Sequence, residues 1–174
     1  MEVSEIKYAA TIAGANTLGL YADASVTKRL ASIAVVRRTG IATQVVRQDS
    51  IGWASSCGIL SAEIAAIVAA LEYAHEHIKP LPQLETLELV IFSDSQQALR
   101  AIQAGNDAKT GRALLGKIAE SIDAVSKAGI DARFRWSPGH KGVVGNEEAS
   151  DAGLSTGEGA RGSRRYPIDK SGQE

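Results

Sequence analysis

The run Leu87-Glu88-Leu89-Val90-Ile91-Phe92, broken only by Glu88 and followed at once by Ser93, Asp94 and Ser95, constrains the fold more than any other segment. Successive strand residues point to opposite faces, so a strand apolar at nearly every position must be covered on both sides. The covering helices are legible. In Ser61 to Ile78 the residues Ile64, Ile67, Val68, Leu71 and Ala74 recur at helical spacing, with Pro80 and Pro82 beyond them. Ser95 to Ala104 reads as a second helix that stops at Gly105. Leu114, Leu115, Ile118, Ile122 and Val125 mark a third, ended by Gly129.

Three strands precede these helices: Thr17 to Asp23, which ends in an acidic residue, and two β-branched-rich runs, Leu30 to Arg37 and Ile41 to Gln48, separated by Arg38, Thr39 and Gly40. A fifth strand alternates Ile130, Ala132, Phe134 and Trp136 on one side with Asp131, Arg133 and Arg135 on the other. The expected class is α/β, with a five-stranded mixed sheet flanked by helices: an antiparallel meander of strands 1–3, then parallel strands 4 and 5. The expected organisation is an N-terminal extension over 1–16, one folded domain over 17–153, and a disordered polar tail over 154–174, because the apolar pattern stops near Gly153.

Composition narrows the class further. Apolar residues at 44% and charged residues at 22% suit an ordinary globular domain, and the lone Cys57 excludes an internal disulfide. No run approaches the ~20 apolar residues of a membrane span, and Met1 to Lys7 lack a signal-peptide pattern. An intracellular, non-secreted protein of the nucleus or cytoplasm is expected, monomeric and without membrane contact. A net charge of -1 argues against a domain that grips nucleic acid everywhere by positive excess, while leaving room for a local basic patch.

Three acids stand where elements meet: Asp23 at the end of the first strand, Glu63 in the first turn of the first helix, and Asp94 between the buried strand and its helix. Each has an ordinary reading. Asp23 can begin a turn, Glu63 can complement the helix dipole, and Asp94 can cap a helix. Together they have another, since carboxylates converging at strand ends need a cation, and hard oxygen ligands suit magnesium or manganese.

The segments Tyr21-Ala22-Asp23-Ala24-Ser25, Leu60-Ser61-Ala62-Glu63-Ile64 and Phe92-Ser93-Asp94-Ser95-Gln96-Gln97-Ala98-Leu99 resemble, in this order, the ribonuclease H family. Trp136-Ser137-Pro138-Gly139-His140-Lys141-Gly142, followed by Gly145-Asn146-Glu147-Glu148-Ala149, resembles that family's histidine loop and last helix. The likeness covers roughly residues 17 to 152 and is most like the domains attached to reverse transcriptases of fungal retrotransposons.

The resemblance implies a ribonuclease H-like fold and a metal-dependent endonuclease. Its substrate would be the RNA strand of an RNA/DNA hybrid, cut to leave a 5'-phosphate and a 3'-hydroxyl. Asp23, Glu63, Asp94 and an acid of the last helix would hold two Mg2+ ions, with Mn2+ as an alternative. The implied catalytic set is Asp23, Glu63, Asp94, His140 and Asp151, with His140 moving protons or helping product leave. Ser25, Gln96, Lys141 and Asn146 would contact substrate, and Lys28 and Arg29 are further phosphate candidates. A reverse transcriptase domain in a larger polypeptide is an implied partner.

One departure bears on activity. The family's last carboxylate stands four residues after the asparagine matched by Asn146, which here is Ser150, and Asp151 comes one residue later. A single helical step turns a side chain by about 100°. Either Asp151 reaches the metal or the fourth ligand is missing. The alternative reading is therefore a catalytically weakened or inactive module of a retroelement remnant, binding nucleic acid or a protein.

Overall fold

The structure, a computed structural model, describes residues 17–53, 57–78, 87–105, 112–155 and Tyr166. The expected N-terminal extension over 1–16 lies outside them. Five strands form one sheet: β1 (Thr17–Val26), β2 (Leu30–Thr39), β3 (Ala42–Trp53), β4 (Leu87–Ser93) and β5 (Ile130–Trp136), in the order β3-β2-β1-β4-β5. The meander β1-β2-β3 is antiparallel, and β4 runs parallel to both β1 and β5. Among the described residues, four helices flank the sheet: α1 (Ile59–His77), α2 (Gln96–Ala104), α3 (Arg112–Lys127) and α4 (Val144–Ser155).

The expected mixed sheet is present, and β4 is buried as its composition requires, with Leu89, Val90, Ile91 and Phe92 fully enclosed. Its alternation feeds two cores. Leu89 and Ile91 join Leu20, Ile33 and Val35 against α1, whose Ile64, Ile67, Val68 and Leu71 are all 0% exposed. Val90 and Phe92 face the other way and form a smaller cluster with Tyr21, Val36, Val143 and Ala149 under α4. Tyr21 and Phe92 are register partners across β1 and β4, and their rings stack with centroids 4.8 Å apart. Because α1 lies between the sheet and α3, it is apolar or small around most of its surface, as a central helix must be.

Several boundaries differ from the sequence reading, with consequences for the acids. β1 does not end at Asp23 but continues to Val26, because Ala24, Ser25 and Val26 go on pairing with Ile33, Ser32 and Ala31. α1 begins at Ile59 rather than Ser61, which puts Glu63 beyond the first turn. The N-cap of α2 is Ser95, whose hydroxyl accepts from the Ala98 amide at 3.2 Å, so Asp94 is not the cap. None of the three acids holds the local role that the ordinary readings assigned to it.

The last helix corrects the expectation that the pattern stops at Gly153. α4 runs on to Ser155, and its C-terminal carbonyls are satisfied by the sheet: Ser32 Oγ donates to Gly153 O at 2.6 Å and Gln48 Nε2 donates to Ala152 O. α4 docks through small residues, so its contact escapes a search for large apolar side chains. Gly145 is the tightest point, where an added Cβ would overlap the Tyr21 ring. Tyr166 also departs from the expected disordered tail: it is 8% exposed, joins the main core, and lies 5.9 Å from the Arg47 guanidinium. Arg47 is itself paired with Asp49 and Glu72. The rest of the expected tail, 156–165 and 167–174, lies outside the described residues.

Cys57 is a buried free thiol, pushed up to about 11 by desolvation. Among the described residues no helix is long and apolar enough to cross a membrane.

The close approach of Gly145 to Tyr21 yields a test of the α4 docking. Gly145→Ala is expected to lower stability by about 1–3 kcal/mol, the usual cost of overpacking a rigid contact. Urea denaturation followed by circular dichroism measures it, and an unchanged midpoint would show that α4 is not seated on Tyr21.

Candidate metal centre

The parallel register that pairs Tyr21 with Phe92 carries each chain two residues further to an acid: Asp23 on β1 and Asp94 just past the end of β4. α1 packs on β1 and supplies the third, Glu63. One carboxylate oxygen from each of Asp23, Glu63 and Asp94 lies within 4.8 Å of the others. Asp23 is 4% exposed and Glu63 is 7% exposed.

Such a group is costly when charged. Desolvation, then repulsion from Asp94, raises the Asp23 carboxyl to about 7. Desolvation, then repulsion from Asp23 and Asp94, raises Glu63 to about 9. Hydrogen bonds from the Ala24 amide and the Ser150 side chain offset part of the rise at Asp23. Glu63 Oε2 is buried and has no hydrogen-bond partner. A buried acceptor without a donor, inside a cluster of like charges, fits a divalent cation held by oxygen ligands.

Around the acids, three groups grip Asp94. The Trp136 indole N–H donates to its carbonyl at 3.1 Å, and Asn146 Nδ2 donates to its Oδ2 at 3.4 Å. Gly139 approaches so closely that a Cβ there would overlap Asp94 Oδ2. The loop carrying Gly139 is tied to the sheet by Ser137 N–H donating to Ser93 O at 3.0 Å.

The other sequence candidates are placed as follows. His140 is exposed, with a positive φ of 51°, a conformation that histidine adopts more readily than most residues. Lys141 is exposed beside it, and the Gly142 N–H closes the loop by donating to Glu147 Oε1 at 2.8 Å. Gln96 is exposed at the start of α2 and accepts from Arg100 at 3.1 Å. Lys28 and Arg29 are exposed in the β1–β2 turn. Ser25 is 9% exposed and faces Gly153, and Asn146 is 1% exposed behind Asp94. The structure thus sets these two against protein rather than at an open surface.

Asp151 is exposed, and the group within coordinating reach among the described residues does not include it. Ser150 contacts Asp23 in its stead. The signal was in the helical phase, since Asn146 and Ser150 are four apart and share a face. The Trp136 and Gly139 contacts depend on β4 and β5 lying side by side, which no local pattern states.

The raised carboxyls bind protons more tightly in the folded chain than in the unfolded one. Their contribution to stability is therefore full below the ordinary carboxylate range and is lost as pH rises toward about 7 for Asp23 and about 9 for Glu63. Without metal, the melting temperature is expected to fall between about pH 5 and about pH 9, and Mn2+ should raise it more at the upper value. Thermal melts in EDTA and in Mn2+ measure this. An equal effect of Mn2+ at both pH values would count against a cation held by these acids.

Comparison with known proteins gives the family and the fold. The family model for RNase H matches residues 15–155. A search of the curated proteins finds no match. Among solved structures, RNase H1 from the halophilic archaeon Halobacterium salinarum is similar, with a TM-score of 0.57 at 19% identity over 80% of this chain and 98% of that one. LC11-RNase H1 in complex with an RNA/DNA hybrid gives a TM-score of 0.57 at 20% identity over 80% of this chain and 98% of that one. The foamy viral protease-reverse transcriptase, also in complex with an RNA/DNA hybrid, gives 0.56 at 15% identity, over 79% of this chain and 20% of that one.

Proposed function

The chain belongs to the RNase H family, and from that membership we propose that it is a metal-dependent endonuclease that hydrolyses the RNA strand of RNA/DNA hybrids. The observation that carries this reading is the group Asp23, Glu63 and Asp94, with oxygens within 4.8 Å of one another and Glu63 Oε2 buried without a partner. Their chemistry fits two Mg2+ or Mn2+ ions, which when bound supply Lewis acidity and neutralise charge in an in-line displacement at phosphorus.

The chain's own residues set up this chemistry. Asn146, Gly139 and Trp136 fix the carboxylate and backbone of Asp94, and the Ser150 side chain holds Asp23. In this reading His140, carried on an exposed loop, moves a proton at the scissile phosphate. Gln96 and Lys141 meet the nucleic acid, Gln96 as a polar reader of the hybrid and Lys141 as a phosphate contact. In the finer placement, suggested by sequence resemblance, the chain is a domain of a fungal retrotransposon reverse transcriptase. There a neighbouring polymerase would add affinity through effective concentration.

Ser150 favours one variation on this reading. A hydroxyl where the family has a carboxylate removes one negative ligand, and ligand charge helps set metal affinity. The enzyme is then weak, or the site binds hybrid without cutting it efficiently. Asp151 serves in its place only if α4 turns by one residue.

Incubation with a labelled hybrid and Mg2+ or Mn2+ tests the main reading: RNA-strand cleavage that disappears in Asp94→Asn is expected, and an intact hybrid under both metals would refute nuclease activity. Ser150→Asp is expected to raise metal affinity and cleavage rate by about tenfold. Asp151→Asn should leave both within about twofold. Calorimetry with Mn2+ and initial rates measure these effects, and loss of activity in Asp151→Asn would identify Asp151 as the ligand instead.

A further inference from the structure

Trp136 closes β5 opposite Ser93, the last residue of β4. Its indole N–H donates to Asp94 O at 3.1 Å, and the same oxygen accepts the Gln96 amide at 3.1 Å. An indole has one polar atom, and here it is spent on the backbone of a metal-group residue. The remaining surface is aromatic, and Trp136 is 42% exposed. Its companions on the same face of β5 are taken into the core: Ile130 is buried, while Ala132 and Phe134 pack against it. Trp136 alone of the four is left outward.

A single exposed apolar side chain is ordinary on a protein surface. This one is fixed, because the N–H bond sets the ring at a defined place beside Asp94, next to exposed Gln96. Three acids repel a polyanion, and the chain's net charge of -1 gives it no general attraction. Contact with the apolar part of a nucleotide would supply affinity there without adding charge that competes with the metal group. It would also set which phosphate stands at the carboxylates.

We propose that Trp136 is a substrate-contacting residue, with a sugar of the bound hybrid packing on its exposed indole face. This rests on the nuclease reading above. The ring contributes to binding and register, while its N–H positions Asp94.

The test uses the full chain carrying Trp53→Phe and Glu63→Gln, so that Trp136 is the sole tryptophan and the hybrid stays uncut. Titration with an RNA/DNA hybrid is expected to change Trp136 fluorescence saturably, in step with the anisotropy of a labelled hybrid. In chains that keep Glu63, Trp136→Leu and Trp136→Phe both lose the N–H bond to Asp94 and are expected to lower kcat to a similar extent, whereas only Trp136→Leu should raise KM, by about tenfold, with Trp136→Phe keeping KM within about threefold of the parent. Thermal melts establish that both variants fold. Saturated hybrid binding with unmoved fluorescence, or an unchanged KM in Trp136→Leu, overturns the proposal. If the parent chain binds no hybrid by anisotropy, the nuclease reading fails and this inference falls with it.

Discussion

Mutual repulsion among Asp23, Glu63 and Asp94, whose oxygens lie within 4.8 Å of one another in a buried setting, is the constraint on which the rest of the structure depends. Free carboxylates would move apart or take up protons, and the raised values of Asp23 and Glu63 express that tendency. The fold prevents separation by seating each acid on a different rigid element. Directly below two of them the Tyr21–Phe92 stack joins β1 to β4, so the strand pair that carries the charge is also held by aromatic packing. Hydrophobic burial thus stabilises an arrangement that electrostatics alone opposes, and a divalent cation reverses the electrostatic sign.

The side of the sheet under α4 shows how packing selects chemistry. Gly145, Ala149, Ala152 and Gly153 let the helix approach closely, and Ser32 and Gln48 bond its last carbonyls. These contacts fix the rotation of α4, and rotation decides that Ser150 rather than Asp151 meets Asp23. Asn146, one turn earlier on the same face, meets Asp94. A residue's role here follows from helix docking, which small residues and main-chain acceptors control.

Loop geometry completes the site in a similar way. Gly139 is needed for clearance beside Asp94, and the same loop exposes His140 and Lys141. Tight backbone approach and an outward histidine therefore come from one short segment pinned to Ser93. A segment fixed at its base and open at its tip leaves its outer side chains exposed while Asp94 stays held.

The sequence by itself determined the number and type of the strands, the helices with regular apolar spacing, and the three acids at element junctions. Those features are local: a period of two or of 3.6 is written in neighbouring residues. Only the tertiary structure decided that β1 runs past Asp23, that α1 starts early enough to take Glu63 out of its first turn, and that Ser95 does the capping. It also decided that Ser25 and Asn146 are buried, that α4 continues beyond Gly153, and that Tyr166 returns to the core. Each of these depends on contact between segments far apart in the chain. Periodicity says which face of an element is apolar, but strand pairing and helix docking determine what that face meets.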